Sequence, residues 1–297
     1  MTDTPRHEAV MPVEVVACLA PERGGLFVDC TTGLGGHSAV ILDHGAERLI
    51  GLDRDADALR IAAERLTRFG DRVELVHSDY RHLGRVLDTR GISGVNGVLA
   101  DLGVSSMQLD ADGRGFTFRR DEPLDMRMDR SQGPTLGELL VDVEEEDLAN
   151  VIFQFGEERH SRRVARAIVR RRDSGRIEST GELAELVRRA VPSRGYQRID
   201  PATRTFQALR IWVNRELEGL DTFLAETARR LLAGARFAVI SFHSLEDRIV
   251  KHTFRAIAAA GDAWQVLTRR PITAGEEEVA RNPRARSAKL RAIERLA

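Results

Sequence analysis

Val28-Asp29-Cys30-Thr31-Thr32-Gly33-Leu34-Gly35-Gly36-His37 sets a glycine-rich turn directly after a short apolar run that ends in an acid. Three more runs of this kind follow: Leu49-Ile50-Gly51-Leu52-Asp53, Leu75-Val76-His77-Ser78-Asp79 and Val98-Leu99-Ala100-Asp101-Leu102-Gly103. Runs this short and apolar fit strands buried on both faces of a parallel sheet, which gathers its ligands at the strands' carboxyl ends. Asp53 follows Gly33 by about twenty residues, the spacing at which an acid meets a ribose while the glycine turn admits a cofactor to the backbone. A nucleotide-like cofactor is the first expectation.

Working outward, strands are expected at Leu26–Cys30, Leu49–Asp53, Val73–Val76 and Gly97–Asp101. Helical spacing separates them over His37–His44, Asp55–Leu66 and His82–Asp88, and an earlier helix covers Met11–Leu19 with Pro12 in its first turn. This alternation predicts an α/β fold with a doubly wound sheet. The pattern then changes. Gly113, Gly115, Pro123, Gly133 and Pro134 punctuate a loop-rich stretch, and helices are expected at Leu136–Leu140, Glu144–Phe153, Ser161–Arg171, Thr180–Ala190 and Thr203–Leu217. Glu182 stands one place too early to complete a capping box with Thr180. The sheet resumes at Phe237–Phe242, with a helix over Glu246–Ala258 and last strands at Trp264–Leu267 and Ala288–Ile293. The division is therefore a sheet domain over residues 1–106 and 215–297, interrupted by an all-helical insertion over 107–214.

At 297 residues the chain can bury one large core or two modest ones, and its formal net charge of -1 is no argument for a nucleic-acid partner. Two cysteines, Cys18 and Cys30, make neither a disulfide framework nor a zinc site, and no metal is expected from the scattered His37, His77, His82 and His243. The polar start and the lack of a long apolar run predict a cytoplasmic protein with no membrane contact. Charge is more informative locally. Eight arginines lie between Arg159 and Arg176 against Asp173 alone, and a second basic stretch runs from Arg281 to Arg295. Each is either a phosphate-binding face or a solvated surface.

The candidate chemistry follows the strand ends. Gly33 and Gly35 are either a cofactor turn or a plain tight turn. Asp53 suits a ribose diol and Asp79 a second acceptor beside an adenine, although each could instead cap the helix that follows it. The glycines do not complete the dinucleotide pattern, because Ser38 stands where a third glycine is required. An adenosyl cofactor without a pyrophosphate makes fewer demands there, which favours methyl transfer over hydride transfer. Asp101 could accept an N–H from an exocyclic amine and turn its lone pair toward the methyl, with Ser105 and Ser106 positioning the substrate or forming a capped turn. His243 and Ser244 come off the next strand toward the same end. No nucleophile elbow accompanies them, so a hydrolase is not expected. Phe242 is read as core in preference to a base-stacking surface, and Ser244 and Glu246 as a helix start.

Together these residues resemble the bacterial ribosomal small subunit RNA (cytosine-N4)-methyltransferase family. The resembling stretches are His7–Met11, Asp29–Ser38, Gly51–Asp55, Asp101–Ser106, Gln108–Asp110, Arg114–Phe118, Pro123–Met128, Phe155–Glu158, Thr205–Arg210, Ser241–Arg248 and Asn282–Arg291. They span nearly the whole chain. The resemblance implies a Rossmann-like class I methyltransferase sheet carrying an inserted helical domain, with S-adenosylmethionine as cofactor. The implied target is the exocyclic N4 of one cytidine in the decoding region of 16S ribosomal RNA, within the small subunit or a late assembly intermediate. Its cofactor contacts fall on Gly35, Gly36, His37, Asp53, Asp101 and Gln108, with Tyr80 at the aromatic position beside Asp79. Arg114–Phe118 and Arg284–Arg291 look suited to RNA or to closure of the site. The chain lacks the two prolines and aromatic that DNA amino-methyltransferases place after the strand-end residue, so the hold on the amine cannot be taken from them, and the target base must be single-stranded or extruded.

Three other readings compete: a methyltransferase acting on protein or a small molecule, a noncatalytic RNA-binding assembly factor, and, last, a nicotinamide dehydrogenase. The helical insert also offers a surface for pairing into a homodimer.

Overall fold

The computed structural model describes residues 9–192 and 199–296, so His7 and Glu8 of the resembling stretches lie outside the described residues. Seven strands form one sheet: β1 Leu26–Asp29, β2 Arg48–Asp53, β3 Val73–His77, β4 Val95–Asp101, β5 Leu231–Ser241, β6 Trp264–Val266 and β7 Lys289–Arg295, in the order β3-β2-β1-β4-β5-β7-β6. The first five run parallel, and β7 enters antiparallel between β5 and β6. Alternate residues of the strands serve two cores, which explains why the strands read as continuous apolar runs. Val28, Ile50, Leu52, Val98, Ala100 and Val239 face one layer with Leu224 and Phe254. Phe27, Leu49, Leu99, Ala238, Ile240 and Leu290 face the other with Val15, Ile41 and Leu66.

Chain order reverses between β1 and β4. The chain steps outward from β1 to β2 and β3, then returns to start β4 on the other side of β1. At such a switch point the loops leaving the two strands diverge and open a crevice at the carboxyl edge. Here that point falls between the ends of β1 at Asp29 and β4 at Asp101. Among the described residues no helix is long and apolar enough to cross a membrane.

The chain divides into two compact units, residues 1–105 with 218–297, and residues 106–217. The second unit joins β4 to β5 in sequence. It comprises the helices Ser106–Asp110, Leu136–Asp142, Glu145–Gly156, Ser161–Asp173, Thr180–Ala190 and Ala202–Asn214 around a core that includes Leu136, Leu148, Ile152, Val164, Leu183 and Leu209. Its loop-rich entry is tied down from within. Asn214 donates to the carbonyl of Met126 at 2.8 Å and accepts from Met128 N–H at 2.7 Å, while Arg114 donates to the carbonyls of Arg127 and Met128, each at 3.1 Å.

Several elements differ from the sequence reading. The cap of the helix Thr180–Ala190 is Ser179, whose side chain accepts Glu182 N–H at 3.3 Å, so the S-x-x-E pattern is in register once the cap moves back one residue. A helix over Leu220–Arg229 was not expected; it buries Leu220, Phe223, Leu224 and Ala228. The expected helix ending at Leu217 stops at Asn214, because Arg215 adopts a left-handed conformation. Finally, β5 begins at Leu231, six residues before the expected Phe237. Its register shifts against β4 between Val95 and Gly97, and the extra residues include Gly234 at φ 75°.

Candidate active site

In the first unit the loops at the carboxyl edge bring most of the expected site residues together. The turn after β1 depends on its glycines: Gly33 and Gly35 have φ of 52° and 77°, the left-handed region that favours residues without a Cβ. Gly35 caps the helix Gly36–Asp43. A neighbouring constraint comes from β2, where a Cβ on Gly51 would stand 2.5 Å from Thr32 Oγ1.

Asp53, at the tip of β2, accepts Gly33 N–H at 2.7 Å and Asp55 N–H at 2.9 Å. It therefore braces the glycine turn and opens the next helix at once. A carboxylate offers about four acceptor positions, so two remain for a diol. Desolvation pushes its carboxyl up to about 6, against the lowering effect of the two N–H groups.

Asp79 and Tyr80 are more committed than the sequence shows. Asp79 accepts from Arg81 N and Nε, both at 2.9 Å, and from Arg81 Nη2 at 2.6 Å. Burial alone would raise this carboxyl; the Arg81 hydrogen bonds and the Arg54 charge override it and hold it below the usual carboxylate range. Tyr80 is buried against Phe223 with ring centroids 4.6 Å apart. It can wall a pocket, but its ring face toward Phe223 is taken.

A polar cluster lies where β1 and β4 end. Asp101 N–H donates to Thr31 Oγ1 at 2.7 Å, and Gly103 N–H donates to Asp101 Oδ1 at 3.0 Å. The other carboxylate oxygen, Oδ2, stands 3.4 Å from His37 Nε2. His37 is buried, and neither ring nitrogen makes a hydrogen bond among the described residues. Behind it, fully buried Asp29 accepts from Ser38 Oγ at 2.7 Å and Thr31 N–H at 3.2 Å. Burial pushes the Asp29 carboxyl up, and the nearby His37 charge opposes that shift. Thr31, Ser38 and Asp29 were not among the expected site residues. The signal available was Asp29 itself, an acid ending its strand as Asp53 and Asp101 end theirs.

Phe242 is half-buried, packed partly into the second core and partly over Gly103, where a Cβ would come within 2.6 Å of its ring. His243 caps the helix Ser244–Ala259: Glu246 N–H donates to its Nδ1 at 3.4 Å, and its Nε2 faces Glu246 Oε1 at 3.1 Å. The cap gives His243 a structural task. Ser105 is half-buried at the end of the first unit, and the Ser106 side chain lies outside the described residues. Gln108 is buried in the second unit on the helix Ser106–Asp110.

These residues suit an adenosyl cofactor. The turn has no Cβ at Gly33 or Gly35, Asp53 keeps acceptor capacity, and a buried imidazole with two unsatisfied nitrogens calls for a polar ligand beside it.

Residues 4–296 match the MraW methylase family. A protein of Sorangium cellulosum named ribosomal RNA small subunit methyltransferase H is 52% identical over 98% of this chain and 91% of its own length. One of the same name from Bradyrhizobium diazoefficiens is 51% identical over 97% of this chain and 91% of its own. Among solved structures, an rRNA methylase from Streptococcus thermophilus superposes with a TM-score of 0.41 at 10% identity, covering 96% of this chain and 94% of that one.

Proposed function

The chain belongs to the MraW methylase family, and from that premise we propose that it methylates small-subunit ribosomal RNA at the exocyclic N4 of a decoding-region cytidine. The observation that carries the reading is the 3.4 Å approach of His37 to Asp101, which joins the cofactor turn to the tip of β4. When bound, S-adenosylmethionine supplies an electrophilic methyl group on a sulfonium. Gly33, Gly35, Gly36, His37 and Asp53 would hold it, with Asp53 on the ribose, and Asp79 and Tyr80 would line the adenine end.

Asp101 receives the amine. Its Oδ1 is held by Gly103 N–H, so the Oδ2 oxygen is the one positioned to accept an N4–H. That hydrogen bond fixes the amine's rotation and aims its lone pair, and such positioning supplies much of the rate in a displacement that needs no strong base. Once N4 is alkylated it becomes acidic and releases a proton. Asp101 Oδ2 accepts that proton, with His37 Nε2 behind it. Phe242 over Gly103 offers an apolar wall for the base, Ser105 borders the substrate, and His243 holds the helix that follows Phe242 rather than meeting the amine.

The test is to incubate the protein with methyl-labelled S-adenosylmethionine and small ribosomal subunits lacking the modification, then identify the labelled nucleoside. Label in N4-methylcytidine alone, lost in Asp101→Ala while cofactor binding persists, supports the reading. Label in another nucleoside or in protein, or none with naked RNA, assembly intermediates and subunits alike, refutes it.

A further inference from the structure

We propose that the bend between the helices Glu145–Gly156 and Ser161–Asp173 grips single-stranded RNA, with a base stacked on Phe153 and phosphates held by Arg159, Arg162, Arg163 and Arg204. The choice of RNA as partner rests on the proposed function; the surface itself is read from the second unit alone.

Phe153 is 58% exposed and is the one exposed aromatic side chain among the described residues. The core does not need it, because Leu148, Ala149 and Ile152 already form the buried face of its helix. Its carbonyl accepts Glu157 N–H at 3.0 Å, so it sits in the last turn before the bend, about 5 Å along the axis from the helix end. Arg159 lies in the bend, and Arg162 and Arg163 open the next helix. Arg204 reaches the same end by another route. Its carbonyl would stand 2.5 Å from a Cβ on Gly156, and Gln207 Nε2 donates to the Phe155 carbonyl at 3.0 Å.

These four arginines are exposed and have no ion-pair or hydrogen-bonding partner for their guanidinium groups among the described residues. Of the arginines further along the helix, Arg170 is exposed and the other three are engaged internally. Arg166 meets Glu145 at 3.3 Å, Arg171 meets Glu182 at 2.6 Å, and Arg172 donates to the Val143 carbonyl at 2.6 Å. Uncompensated positive charge is thus concentrated at the bend. Of the two acids there, Glu158 is buried with Oε1 accepting His160 N–H at 2.7 Å, and Glu157 has partners of its own. An exposed ring among unpaired guanidinium groups is the chemistry that holds an unstacked strand: the ring takes a base of any identity and the charges follow the backbone. A protein partner would call for a wider apolar patch than one phenylalanine supplies.

The experiment measures binding of labelled small-subunit ribosomal RNA to the full-length protein across a salt series, beside methyl-transfer kinetics. Phe153→Leu keeps the apolar bulk and removes the aromatic face; it should weaken binding about tenfold, and Phe153→Tyr should restore it. R159S/R162S/R163S should flatten the slope of log affinity against log salt by about 2, at about 0.7 per phosphate contact. Both variants should raise KM for RNA while leaving kcat and cofactor affinity unchanged. Wild-type affinity and slope in both variants would overturn the proposal, as would a change in oligomeric state without a change in RNA affinity. The two readings separate cleanly: wild-type protein that binds RNA through this face but transfers no methyl group overturns the proposed function and leaves the grip standing.

Discussion

Asp53 Oδ2 accepts the backbone N–H of Gly33 at 2.7 Å, so the acid expected to meet a ribose also holds the shape of the turn that admits the cofactor. With Asp53 on the ribose as proposed, cofactor affinity and local structure share one titrating group. Its carboxyl lies at about 6 because burial disfavours the charged form. Between the ordinary carboxylate range and about pH 6 the folded state binds more protons than the unfolded one, so the stability of the free protein falls as pH rises through that window. Ribose binding has the opposite sign, since it needs the ionised acceptor. Calorimetric titration with S-adenosylhomocysteine should give affinity that rises from pH 5 to a plateau above pH 7. Asp53→Asn should bind about 10- to 100-fold more weakly at pH 7.5, and its pH dependence should be nearly flat.

Gly103 is required by close approach on two sides, with Phe242 and Asp101 Oδ1 at 2.6 and 3.0 Å from where a Cβ would stand. Gly103→Ala should displace the Phe242 ring and disturb the held oxygen of Asp101. The expected outcome is a kcat reduced at least tenfold, with cofactor affinity within a factor of three and a stability loss of about 1 kcal/mol in urea unfolding.

Asn214 satisfies three backbone groups within the second unit: the carbonyls of Met126 and Arg210 and the N–H of Met128. Met126 needs such restraint, since it holds φ of 59° without being glycine. Asn214→Ala leaves buried backbone groups unpaired and should cost about 2–4 kcal/mol, read by thermal unfolding. Asn214→Asp should cost no less, because it turns a carboxylate oxygen toward the Met126 carbonyl.

Arg291 was expected to serve RNA or closure of the site, yet it is buried and paired with Asp247 at 2.6 Å from Nε to Oδ1. Burial would raise the Asp247 carboxyl; the Arg291 guanidinium, aided by Lys289, overrides this and holds it below the usual range. A lowered carboxyl stabilises the fold above its ordinary pKa and loses that effect as pH falls. Asp247→Asn should therefore be about 2 kcal/mol less stable than wild type at pH 7, with the gap closing below pH ~4 in urea titrations.

The middle of the sheet was legible because its central strands β1, β2 and β4 have to be apolar on both faces and end in an acid, a pattern carried in single short runs. The helix Leu220–Arg229 carried its own signal in Leu220, Phe223, Leu224 and Ala228, but the preceding helix was extended past Asn214 across a break made by Arg215, a residue type with no turn preference. In the site, glycines and strand-end acids could be placed from spacing. The engagement of Asp79 by Arg81 and of His243 by Glu246 could not, because sequence shows which groups are near and not which hydrogen bonds win. Phe153 drew no notice, since one aromatic on a helix is normally core and only burial distinguishes the exception.

β5 pairs directly with β4, but the chain must cross about 130 residues between them. At ribosomal speeds of about 5–20 residues per second, β4 waits roughly 6 to 26 seconds after it is made before its neighbour exists. During that interval the nascent sheet has an unpaired apolar edge at the strand that carries Asp101, a template for pairing with another chain. The intervening residues form a unit with a core of its own, so they can fold as they emerge and keep the two partner strands within reach. The arrangement that supplies the enzyme with its second unit also leaves the β4 edge exposed to mispairing during synthesis.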